Sequence, residues 1–115
     1  MRTRILTTII ALLATITMTA AIKVTRIDPT DWYVGMKNPQ LQLMVYGQGI
    51  REAMVTTDYP GVTIDSIVKL DSPNYLLVYL NLKGAQPGQM TLKFASGKQK
   101  TEVKYTLRQR EKAGS

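Results

Sequence analysis

The chain has 115 residues, with 15 Lys and Arg against 8 Asp and Glu, a formal net charge of +7, and neither Cys nor His. That length holds one domain at most. Without Cys there is no disulfide framework and no thiolate chemistry. Without His there is no Ser-His-Asp triad, no imidazole base and no His-bearing metal site, so neither a metal nor another cofactor is expected.

The first element is a leader. Met1 to Arg4 is a short basic head, Ile5 to Met18 carries no charge, and Thr19-Ala20-Ala21 ends the run in small residues. That is the layout of a secretory signal peptide, with an apolar stretch of roughly 7–15 residues before a small-residue cleavage site. A membrane span needs about 20 apolar residues. This run is shorter and is interrupted by Thr7, Thr8, Thr15, Thr17 and Thr19, so residues 1–21 are expected to be cleaved near Ala21 and to leave no stable membrane anchor. The expected location is periplasmic or secreted. Losing Arg2 and Arg4 with the leader lowers the formal charge from +7 to +5, with 13 basic residues left against 8 acidic. The excess is well mixed, without the stripe of a nucleic-acid binder, and no nucleic-acid partner is expected.

From Ile22 onward the apolar period is two. Ile22 and Val24 share a parity, then Leu41, Leu43 and Val45, with Ala53 to Thr57 as a short strand after them. Val62, Ile64, Val68 and Leu70 follow on one parity, then Leu76, Val78, Leu80 and Leu82. Met90, Leu92 and Phe94 come next, and Val103, Tyr105 and Leu107 close the series. Strict alternation marks half-buried strands, because successive side chains point to opposite sheet faces. Tyr59-Pro60-Gly61, Ser72-Pro73-Asn74, Gln86-Pro87-Gly88 and Ser96-Gly97-Lys98 punctuate them as turns. The pattern predicts an all-β, immunoglobulin-like β-sandwich of about seven antiparallel strands over residues 22–108. A five-stranded oligonucleotide-binding type of barrel is the alternative fold. Residues 109–115 lose the alternation and read as a linker.

The chemistry available to this sequence is narrow. Asp28, Asp31, Glu52, Asp58, Asp65, Asp71, Glu102 and Glu111 fall mostly in turns or on outward positions. Glycoside hydrolysis needs two carboxyl groups facing each other about 5–9.5 Å apart across a cleft, so no catalytic residue is assigned. Gly47-Gln48-Gly49 lacks the third glycine of a dinucleotide loop, since Glu52 stands in its place; it reads as a bend or bulge where glycine accepts positive φ. Trp32 and Tyr33 have two readings, packing over the end of the sandwich or stacking against a sugar ring. Tyr46, Tyr75 and Tyr79 lie opposite the main apolar parity, either as a docking face or as cross-strand aromatic pairs. The candidate sugar or interface contacts are therefore Trp32, Tyr33, Tyr46 and Tyr79. Lys98, Lys100, Lys104, Arg108, Arg110 and Lys112 share a parity, which guards an edge strand against foreign pairing.

The segment Asp31-Trp32-Tyr33-Val34-Gly35-Met36-Lys37-Asn38-Pro39, running into Leu41 to Gly47, resembles the opening of a known domain. So do Asp58-Tyr59-Pro60-Gly61-Val62 and Leu70-Asp71-Ser72-Pro73-Asn74-Tyr75-Leu76, in the same order. That domain is the one preceding the catalytic barrel in bacterial periplasmic cyclomaltodextrinases and neopullulanases, glycoside hydrolases of the alpha-amylase clan. The likeness covers roughly Ile22 to Arg110. Trp32, Gly35, Met36, Asn38 and Pro39 match the opening motif, and Pro60, Gly61, Ser72, Pro73, Asn74 and Tyr75 match the later turns. Tyr33 stands where the family commonly has a second Trp.

The resemblance implies an accessory role in starch or cyclodextrin degradation, in a Gram-negative bacterium. In the family a (β/α)8 barrel follows and carries an Asp nucleophile and a Glu acid/base; no position here corresponds to either, so the chain alone is not expected to be an enzyme. The implied partners are the catalytic barrel, to which 109–115 would lead, a second subunit in a dimer, and maltodextrin or cyclodextrin. Met44, Tyr46, Leu77 and Tyr79 are the expected barrel-facing residues. Two other classes stand beside this: a free-standing carbohydrate-binding module, and a structural interaction module without sugar contact.

Overall fold

The computed structural model describes residues 22–109. The leader read over 1–21 lies outside them, as does the linker beyond Gln109. The strands are β1 (Lys23–Asp28), β2 (Asp31–Val34), β3 (Gln40–Gln48), β4 (Met54–Thr56), β5 (Thr63–Lys69), β6 (Tyr75–Asn81), β7 (Gly88–Ser96) and β8 (Gln99–Gln109). A single 3₁₀ turn, Ile50–Glu52, joins β3 to β4. Two four-stranded sheets form, in the orders β1-β3-β6-β5 and β2-β8-β7-β4. This is the expected immunoglobulin-like sandwich with one strand more than the alternation predicts.

The additional strand is β2, the four residues around Trp32. Pro29 has no N–H to donate, so the β1–β3 ladder stops there. The chain then crosses to the other sheet, where Asp31, Trp32, Tyr33 and Val34 pair with Thr106, Leu107, Arg108 and Gln109. That pairing is parallel, the one departure from an otherwise antiparallel set. The Tyr105 hydroxyl donates to the Pro29 carbonyl at 2.7 Å and ties the crossing point to β8.

The alternating residues meet between the sheets. Leu43, Val45, Leu76, Val78, Leu80, Met90, Leu92, Phe94, Tyr105 and Leu107 are almost wholly buried, and among the described residues no polar or charged one is buried with them. Two strands depart from strict alternation. In β5 the register slips between Ile64 and Ser66, a bulge that adds one residue and reverses the parity beyond it. Ile64 and Ile67 pack on the core, while Val68, expected inward, is 41% exposed. In β1 a slip between Val24 and Arg26 sends Ile27 inward with Ile22 and leaves Val24 half-buried.

Gly47 departs from expectation in its cause. It lies within β3 without a positive φ, and a Cβ there would collide with the Lys23 carbonyl oxygen of β1. Closeness of backbone, rather than conformational freedom, requires glycine at that position. The left-handed residue of the pair is Gly49, with φ 63, at the head of the 3₁₀ turn.

Candidate interaction surface

Alternation that sends one parity to the core sends the other outward, so each sheet has an outer face whose chemistry the sequence sets. On β2-β8-β7-β4 that face pairs Thr91 with Lys104, Lys93 with Glu102, Ala95 with Lys100 and Gln89 with Thr106. The Lys104 ammonium donates to the Thr91 hydroxyl at 2.8 Å. The last strand, expected to be a guarded edge, instead lies between β7 and β2, so its Lys-rich parity covers a solvated sheet face, although Met54 on the short edge strand β4 is 65% exposed.

The outer face of β1-β3-β6-β5 is different. Register places Met44 beside Leu77, Tyr46 beside Tyr75 and Gln42 beside Tyr79. On the other side of β6, Val68 pairs with Leu77 and Ser66 with Tyr79. The Tyr46 and Tyr75 rings lie 4.9 Å apart at 49°, a tilted aromatic contact. Arg26 on β1 sets its guanidinium carbon 5.5 Å from the Tyr46 centroid and is held there by Asp28 at 3.0 Å. Its place over an aromatic ring is a cation–π contact. The result is a continuous apolar band, Met44-Leu77-Val68 flanked by tyrosines, on one broad face.

The four aromatic candidates do not converge. Tyr46 and Tyr79 share that band. Trp32 and Tyr33 are on β2 in the opposite sheet. Trp32 pairs with Leu107 and packs half-buried against the core. Tyr33, 39% exposed, pairs with Arg108. Their rings are 6.1 Å apart and inclined at 56°, so they do not form one flat platform. Sequence reasoning missed Arg26 as a neighbour of Tyr46, because the β1 bulge hides its parity.

Asp28, Asp31, Glu52 and Asp58 are each engaged with a cation. Asp31 accepts from Arg108 at 2.9 Å, and Glu52 accepts from Lys69 at 2.9 Å. Asp58 lies 3.8 Å from Lys93. The hydrogen bond from Lys69, and then its charge, hold the Glu52 carboxyl below its ordinary value, the direction opposite to that of a poised general acid. Among the described residues, no cluster of three acidic side chains offers a metal site.

Fold and surface together define an immunoglobulin-like module with one apolar outer face and one solvated outer face. Residues 26–111 match the family model described as cyclomaltodextrinase, N-terminal, and the chain belongs to that family. It is thus a domain of a larger glycosidase, whose other domains are its natural neighbours.

Proposed function

We propose that this chain is the accessory N-terminal domain of an exported enzyme that degrades starch or cyclodextrins. It supplies no catalytic group and seats its β1-β3-β6-β5 outer face against the catalytic barrel. The leader-like residues 1–21 support export to the periplasm or beyond. One observation carries the docking role: of the two outer faces, the one bearing Met44, Tyr46, Val68, Leu77 and Tyr79 is apolar, and the other is lined by Lys and Thr. An apolar face of that extent is an interaction surface when left in water.

The mature chain without its barrel should therefore self-associate at millimolar concentration in sedimentation velocity, and Leu77→Lys with Tyr79→Lys should make it monomeric. The more exposed Val68→Lys is a companion variant, expected to weaken association while keeping the strand spectrum in circular dichroism. A wild-type chain that stays monomeric at millimolar concentration would refute the docking role.

A further inference from the structure

At the end of the sandwich where β8 finishes, the β2–β3 and β6–β7 loops enclose a hollow of about 400 Å³. Its walls include Tyr33, Met36, Pro39 and Leu82, with Lys37 and Lys83 at its rim and no carboxylate in its lining. Both loops are held in shape. The Asn38 side chain accepts from the Gln40 backbone N–H at 3.1 Å, and the Asn81 side chain accepts from the Lys83 N–H at 2.8 Å. The Leu82 N–H donates to the Pro39 carbonyl at 2.8 Å and clasps one loop to the other. The hollow is thus a built feature of the fold.

Its position identifies what lies nearest. In the parallel ladder Gln109 pairs with Val34, the residue between Tyr33 and Gly35, both of which line the hollow. The polypeptide leaving β8 therefore emerges beside it. We propose that this hollow is the seat for the domain that follows in the same enzyme, taking an apolar side chain flanked by a carboxylate, and so fixing the orientation of that domain on the sandwich. The proposal rests on the reading of the chain as the N-terminal domain of a larger glycosidase.

Two arguments favour this occupant over a second copy of the chain. A tethered partner meets the hollow at an effective concentration of about millimolar. A second copy, with a formal charge of +5 once Arg2 and Arg4 leave with the leader, brings further positive charge toward Lys37 and Lys83, whereas an acidic neighbour would satisfy both.

The test compares the full-length enzyme with this chain by amide hydrogen exchange, following Gly35 to Lys37 and Lys83 to Gly84. In the full-length enzyme these amides should exchange at least about tenfold more slowly, the factor equivalent to 1.4 kcal/mol of docking. Lys37→Glu with Lys83→Glu should abolish the slowing. Both lysines are exposed, so the same pair of substitutions in the chain alone should leave its melting temperature unchanged. Equal exchange in the two proteins would overturn the proposal, as would slowing that survives the charge reversal. Saturable protection of the same amides in this chain by maltoheptaose would overturn it in favour of a sugar site. A coding region after Ser115 without a barrel would remove the proposed accessory role, while leaving the family match intact, and it is visible in the DNA before any exchange experiment.

Discussion

Replacing Tyr105 by Phe removes one oxygen from a part-buried polar contact of the sandwich. The ring is 2% exposed and its hydroxyl donates to the Pro29 carbonyl at 2.7 Å. At neutral pH, loss of that bond with the carbonyl left unpaired should cost about 1–3 kcal/mol. The pH dependence is more diagnostic. Burial first, and the Asp31 carboxylate second, hold the hydroxyl protonated well above its ordinary value of 10.0. In the unfolded chain it ionises at that ordinary value. The stability it supplies is complete below pH 10 and falls as pH rises further, because the unfolded state alone releases the proton. By pH 11 the wild-type chain should lose about 1.4 kcal/mol through this group, a loss the Phe variant cannot suffer. The other tyrosines are common to both proteins and cancel in the difference. Urea melts at pH 7 and pH 11 should therefore show the deficit of Tyr105→Phe shrinking by about 1.4 kcal/mol. A deficit equal at both values would refute the assignment of a buried, protonated hydroxyl at the sheet crossing.

Trp32→Ala should destabilise the domain by about 2 kcal/mol, roughly half the 3–5 kcal/mol of a fully buried aromatic, since the ring is half-buried; a change under about 1 kcal/mol in denaturant melts would refute a packing role. Gly47→Ala should push β1 from β3 at Lys23, lowering stability by about 1–3 kcal/mol as overpacked sites do, with faster amide exchange in β1; an unchanged urea midpoint would count against the close approach. The chain from Ile22 onward should release no reducing ends from starch, pullulan or cyclodextrin. Activity that survives repurification and disappears on replacing one Asp or Glu would contradict the accessory role.

The sandwich was legible in the sequence because its core strands are long and alternate cleanly. Leu76, Val78 and Leu80 need no structure to be placed inward. Their off-parity neighbours Leu77 and Tyr79 mark the apolar outer face, since a strand apolar on both sides departs from simple alternation. What escaped is local. A bulge inserts a residue without a fixed composition, so Val68 was expected inward and Arg26 was not seen to reach Tyr46. At four residues, β2 is too short for periodicity to reveal, and its parallel pairing follows from the crossover at Pro29. The exit-end hollow joins Tyr33 and Met36 to Leu82 and Lys83, two loops distant in sequence whose meeting depends on sheet order.

The pairing of β2 with β8 also determines when the fold can be completed. Asp31 finds its partner at Thr106, and Pro29 finds its hydroxyl donor 76 residues later in the chain. Contacts between such distant segments carry a large loop-closure cost before they return any stabilisation, and they slow folding. During synthesis the opening segment waits, its edge unpaired, until β8 has emerged whole. The early strands are therefore all synthesised before the clasp that locks the opening segment to the second sheet can be made.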